Sequence, residues 1–165
     1  TLTRVPARIN PSVEAQATRL AEQVADALSL VGVLGLELFL LPDNTLLVNE
    51  LAPRPHNSGH YTQDACATSQ FEQHLRAVAA WPLGATTLHT PVVMLNLIGD
   101  QLSRMLEQLD RLPAAAHLHL YHKHEIREGR KMGHLNFTCD DPARILETLN
   151  SCGIWTPSLL ENALR

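Results

Sequence analysis

Two apolar stretches, Val31–Leu41 and Leu46–Leu51, flank the turn-forming Pro42-Asp43-Asn44-Thr45, and no other pattern in the chain constrains the fold as much. The first predicts a buried strand, the second its partner, and together they read as a β-hairpin. With Asp43-Asn44 at the tip, Leu41 faces Leu46 and Glu37 falls opposite Glu50. Directly opposed residues share one face of a sheet, with Cβ atoms roughly 4.5–5.5 Å apart. Like charges at that distance destabilise the pair, and an unpaired charge in an apolar strand is costly. A divalent cation between the carboxylates resolves the conflict, and magnesium favours hard oxygen ligands together with substrate phosphates. The alternative is an edge hairpin whose acids point to solvent. A slip of one residue would send Glu37 to the other face. Asn49 faces away from Glu50 in a regular strand, and joins the acids only where a bulge intervenes or the strand ends.

Around this hairpin, helices and strands mix without regular alternation, which predicts an α+β fold. Thr1–Ile9 alternates like a strand, and Asn10-Pro11-Ser12 offers a helix cap. Val13, Ala17, Leu20, Ala21, Val24 and Leu28 follow at helical spacing. Ser69 and Glu72 form a capping-box pattern before a helix striped by Phe71, Leu75 and Val78 and ended by Pro82. Pro91–Ile98, Ala116–Tyr121 and Gly133–Thr138 read as strands, Gln101–Leu109 as a short helix, and Asp141-Pro142 as the start of a last one. A boundary between two units is expected near residues 84 to 90.

Composition excludes some classes of function. A formal charge of -4 argues against a general nucleic-acid binder. No apolar run approaches the roughly 20 residues that span a bilayer, so no membrane partner is expected. With 45% hydrophobic but only 4% aromatic residues, the core must be largely aliphatic. Cys66, Cys139 and Cys152 lack Cys-x-x-Cys spacing and read as reduced, buried thiols of a cytoplasmic protein. The chain opens with Thr1 inside a strand-like segment and is expected to be a piece of a longer protein.

Two polar segments carry further chemistry. Pro53-Arg54-Pro55-His56-Asn57-Ser58-Gly59-His60 follows Glu50 closely; its prolines stiffen the backbone, and Arg54, His56 and Asn57 suit an anionic or phosphorylated ligand. The other reading is an ordinary solvated loop. Both lysines of the chain, Lys123 and Lys131, lie in His122–Lys131 with Arg127, Gly129 and Arg130. Cations on a glycine-containing connection can cradle a phosphate, or can simply be a solvated tip. His117 and His119 would share a strand face, but no third ligand stands at zinc-site spacing.

These residues carry a family resemblance. The run from Gly35 to Gln73, with APRPHNSGH at Ala52–His60, resembles the ATP-grasp enzyme N5-carboxyaminoimidazole ribonucleotide synthase. PVVMLNLIG at Pro91–Gly99 and GRKMGHLN at Gly129–Asn136 are similar to the same family. The resemblance implies the C-terminal half of an ATP-grasp domain over residues 1–86 and a small C-terminal unit, rich in strands, over residues 87–165. It implies ATP-dependent carboxylation of 5-aminoimidazole ribonucleotide with bicarbonate through carboxyphosphate, with ATP and magnesium as cofactors, in a cytoplasmic homodimer. Glu37 and Glu50 would hold magnesium, and Asn49 with Glu50 would sit at the nucleotide. Arg54, His56 and Asn57 would bind the ribonucleotide, Arg54 and His56 catalytically at the reacting amine. Lys123 and Arg130 would hold its phosphate. The family's lid and N-terminal domain carry most ATP contacts, so these 165 residues alone are expected to be inactive. Competing readings are another ATP-grasp carboxylase or formyltransferase of the purine pathway, or a non-catalytic ligand-binding or dimerisation module.

Overall fold

Pro6 stops the first strand after four residues, because its ring removes the N–H that a ladder needs. In the computed structural model, which describes residues 1–162, the elements are β1 (Leu2–Val5), α1 (Pro11–Ala27), β2 (Gly35–Leu40), β3 (Leu46–Ala52), α2 (Thr62–Ala65), α3 (Gln70–Val78), β4 (Val92–Ile98), α4 (Gln101–Leu106), β5 (Ala116–Leu120), β6 (Lys131–Thr138), α5 (Pro142–Cys152) and α6 (Pro157–Asn162). The class is α+β. The chain divides into one unit of Ala7–Thr87 and another of Thr1–Pro6 with the residues from Leu88 on. The sequence reading set Thr1–Pro6 in the first unit. The strand instead pairs antiparallel with β4, Leu2 opposite Leu95 and Val5 opposite Val92, because the β4 edge supplies the ladder it lacks nearby.

The unit from Leu88 on is an antiparallel sheet in the order β1-β4-β6-β5. Alternation puts Val93, Leu95, Leu97, Leu135 and Phe137 on one face. There they pack with Met105 of α4, Leu146 and Leu149 of α5, Trp155 and Leu160, all buried. Phe137 and Trp155 meet edge to face at 6.1 Å. The opposite face is mixed: Asn96, His134 and Asn136 are buried there beside Val92 and Met94, and His119 stacks on His134 at 4.6 Å. Asp141 caps α5 by accepting from the Ala143 N–H at 2.9 Å, and Gly153 ends it with a left-handed φ of 71°.

The unit of Ala7–Thr87 is built differently. Asn10 caps α1 by accepting from the N–H groups of Ser12 and Val13, yet Val13 is the helix's one buried residue. Ser69 caps α3 by accepting from the Glu72 N–H at 3.2 Å. The Glu72 carboxylate pairs with Arg76 one turn on, rather than reaching back to close a capping box. One expectation fails here. Val31–Leu41 is not a buried strand: it starts at Gly35, and Val31, Phe39 and Leu40 are exposed. Phe71, Leu75 and Val78 are likewise exposed on α3. A two-stranded sheet and a lone helix have apolar faces that these residues themselves do not cover. Burial of the cysteines is also only partial, since Cys152 is buried but Cys66 and Cys139 are half-buried.

Candidate functional site

The hairpin places the acids by two offsets that cancel. Leu41 N–H donates to the Thr45 carbonyl and Asn44 N–H to the Leu41 carbonyl, both at 2.9 Å, and Asn44 adopts a left-handed φ of 65°. The tip is therefore a three-residue loop, not the two-residue Asp43-Asn44 turn. Leu46 faces Leu40 rather than Leu41, one step from the expected register. A bulge then occurs where Leu38 faces Val48 and Glu37 faces Glu50, leaving Asn49 as the extra residue. It restores the opposition of Glu37 and Glu50 and turns Asn49 into the site, where its Nδ2 donates to Glu37 Oε2 at 3.1 Å.

His56 stands between the two acids. Its Nδ1 lies 3.7 Å from Glu37 Oε1 and its Nε2 lies 3.6 Å from Glu50 Oε1. The His56 side chain is only 13% exposed against 38% and 51% for Glu37 and Glu50, so the imidazole is shielded while the carboxylates open to solvent. Ser58 fixes the ring: its Oγ is 2.8 Å from Nδ1 and its N–H points at the same atom. An acceptor Nδ1 puts the ring proton on Nε2, facing Glu50. Gly35 makes the approach possible, since a Cβ there would lie 2.6 Å from His56 Cβ.

Among the described residues, Glu37, Glu50 and His56 form a group whose ligand atoms lie within 4.8 Å of one another. Two solvent-facing carboxylates fit a hard divalent cation that keeps positions open for water or phosphate oxygens. Arg54 is exposed, with Nη1 donating to the Pro55 carbonyl at 3.0 Å, and Asn57 opens the short 3₁₀ turn Asn57–Gly59. Gln70, which no sequence signal marked, bonds both backbone groups of His56.

Lys123 and Arg130 lie in the other unit, on the connection between β5 and β6. Lys123 Nζ donates to the Lys131 carbonyl at 2.6 Å and sits 5.3 Å above the Tyr121 ring. Arg130 Nη1 donates to the Glu125 carbonyl at 3.3 Å, and Arg127 pairs with the Glu125 carboxylate. Lys123 and Arg130 are half-buried and tied to carbonyls, unlike the cations of a freely solvated tip. Tyr121 is held in turn by His134, Nδ1 to hydroxyl at 2.9 Å, and burial pushes its phenol up to about 12. His117 and His119 meet Thr138 and His134.

A bulged hairpin presenting two acids beside a polar loop, in an α+β chain, is an arrangement of the ATP-grasp class. The family model of the ATP-grasp domain matches residues 1–71, and that of the phosphoribosylaminoimidazole carboxylase C-terminal domain matches residues 92–148. The N5-carboxyaminoimidazole ribonucleotide synthase of Bacillus subtilis (strain 168) is 56% identical over 133 residues, which are 81% of this chain and 35% of that protein. The solved ADP complex of an N5-carboxyaminoimidazole ribonucleotide synthetase has a TM-score of 0.90 at 46% identity, covering 99% of this chain and 42% of that one. The Aspergillus clavatus synthase in complex with ADP and 5-aminoimidazole ribonucleotide has a TM-score of 0.84 at 35% identity, covering 97% and 43%. By these matches the chain belongs to the family of N5-carboxyaminoimidazole ribonucleotide synthases. It spans about a third of the length of the curated relatives it matches.

Proposed function

We propose that this chain supplies the metal-binding acids and part of the ribonucleotide site of an ATP-dependent ligase that carboxylates 5-aminoimidazole ribonucleotide with bicarbonate. The observation that carries the reading is the opposition of Glu37 and Glu50 with His56 between them. The Aspergillus clavatus relative, solved with ADP and 5-aminoimidazole ribonucleotide, supplies the substrate class. In this reaction a bicarbonate oxygen attacks the γ-phosphorus of ATP, releasing ADP and forming carboxyphosphate. The exocyclic amine then bonds to the carboxyl carbon while the C–O bond to phosphate breaks; inorganic phosphate and one amine proton leave.

Glu37 and Glu50 hold magnesium, which when bound offsets charge on the transferring phosphoryl group. Asn49 orients Glu37 and, with Glu50, borders the nucleotide. His56 and Arg54 bind and orient the ribonucleotide at its reacting amine, with Asn57 beside them. Lys123 and Arg130 hold its phosphate, as fixed charges that need little reorganisation on binding. A cytoplasmic homodimer belongs to the same reading and rests on the family resemblance.

The test is ATP hydrolysis dependent on both 5-aminoimidazole ribonucleotide and bicarbonate, in the full-length enzyme carrying this chain, with and without Glu50→Gln. Turnover that falls at least a hundredfold in the variant is expected, in line with roughly 10²–10³ for losing one transition-state electrostatic contact. Full turnover in Glu50→Gln removes the acid from the mechanism. A folded enzyme without ribonucleotide-dependent turnover refutes the ligase reading.

A further inference from the structure

His56 stands just before the 3₁₀ turn Asn57–Gly59, where the Gly59 N–H donates to its carbonyl at 3.0 Å, and both its main-chain groups are also bonded by one distant side chain. Gln70 Oε1 accepts from the His56 N–H at 2.9 Å, and Gln70 Nε2 donates to the His56 carbonyl at 2.8 Å. The same Nε2 lies 2.7 Å from His60 Nδ1. One side-chain amide thus pairs with His56 as a neighbouring strand would, and its second N–H meets His60. The amide is itself anchored: the Gln70 N–H donates to Thr62 Oγ1 at 2.9 Å, and that hydroxyl donates to the Gly59 carbonyl at 2.7 Å. Gly59 leaves the room, since a Cβ there would stand 2.5 Å from Gln70 Oε1. His60 is backed by Phe71, its ring stacked at 5.3 Å.

We infer that Gln70 is a positioning residue, which holds the His56 imidazole between Glu37 and Glu50 from outside the reacting groups. The inference rests on the proposed role of His56 at the ribonucleotide. The Gln70 amide bonds to His56 and His60, so its effect on the chemistry runs through His56. A shift of about 1 Å in such a group costs on the order of a hundredfold in rate.

Gln70→Leu removes every bond of the amide, Gln70→Glu keeps the acceptor for the His56 N–H, and Gly59→Ala pushes the intact amide aside. In the full-length enzyme, kcat/KM for 5-aminoimidazole ribonucleotide should fall about 10- to 100-fold in Gln70→Leu, and less in Gln70→Glu and Gly59→Ala. KM for ATP should change less than about twofold, a split that general loss of folding would not produce. Hydrogen exchange at the His56 amide should accelerate in Gln70→Leu and Gly59→Ala. Wild-type ribonucleotide kinetics in Gln70→Leu overturns the positioning role, as does equal loss toward both substrates. Should the wild-type enzyme lack ribonucleotide-dependent turnover, the ligase reading fails by itself. The exchange measurement still decides the inference, and unchanged protection of the His56 amide in Gln70→Leu sinks it.

Discussion

Two ways of holding a structure together coexist in this chain. In the unit from Leu88 on, β4, β6 and α5 bury Leu95, Leu97, Leu135, Phe137, Leu146 and Leu149 completely. In the unit of Ala7–Thr87, the buried apolar residues are Val13, Ala52 and Ala65, while Phe39, Leu47, Val48 and Trp81 are exposed. The site-bearing unit relies instead on polar links: Gln70 to His56, Thr62 to Gly59, and Gln73 to both backbone groups of Gly84. Hydrophobic burial is non-directional and tolerates small shifts, whereas hydrogen bonds fix angles and distances. The difference matches the two tasks proposed above, since one unit presents the β5–β6 connection from a packed sheet and the other holds the His56 imidazole by directional bonds.

Core truncation breaks this comparison most forcefully. Phe137→Ala should cost about 3–5 kcal/mol of unfolding free energy in urea titration, because a fully buried ring leaves a cavity. Leu47→Ala, at a side chain 48% exposed, should cost about 0.5 kcal/mol or less in this chain. A several-fold larger cost for Leu47→Ala in the full-length protein would show that further sequence covers this face. Equal costs for the two changes in this chain would erase the contrast between the units.

A smaller effect sharpens the comparison at the acids. Glu37→Gln removes one of two directly opposed charges, so without divalent metal the hairpin should gain roughly 0.2–1 kcal/mol. Magnesium should raise the thermal midpoint of the wild type and leave that of the variant unchanged. A variant that still responds to magnesium would take Glu37 out of the metal site.

The smallest effect lies in alkaline pH and separates the chain's two tyrosines, one in each unit. Burial raises both phenols above their ordinary value; for Tyr61 the neighbouring Cys66 thiolate adds to the rise, and Tyr121 reaches about 12. A folded pKa above the unfolded one stabilises the protein below the unfolded value, near pH 10, and that contribution is lost as pH rises toward 12. Absorbance titration of the folded chain should therefore show a late tyrosinate step that disappears in Tyr121→Phe. A step at the ordinary value would mean that Tyr121 is wet and not a platform for Lys123.

Much of the site was legible in the residues. The opposition of Glu37 and Glu50 could be placed by spacing, because that signal is local, whereas the roles expected of the loop that follows them and of Lys123 and Arg130 came from the family resemblance. The route to the opposition was partly wrong: the tip loop is one residue longer than expected, and the Asn49 bulge compensates. Neither offset is written in residue type alone, since Asn44 can adopt either turn and a bulge depends on what both strands must satisfy. Gln70 was illegible for a plainer reason. A glutamine after a helix cap looks like any solvated residue, and its partner lies 14 positions away.

The sequence by itself determined the local elements, the α+β class, the caps at Asn10, Ser69 and Asp141, and the residue types that carry charge to the site. Those follow from periodicity and from chemistry within a few residues. Only the tertiary structure decided that β1 pairs with β4, that the apolar hairpin is exposed, that Asn49 turns toward Glu37, and that Gln70 grips His56. Each of these depends on a partner distant in the chain, and a polar group's choice among distant partners is settled only when the backbone has brought them within bonding range.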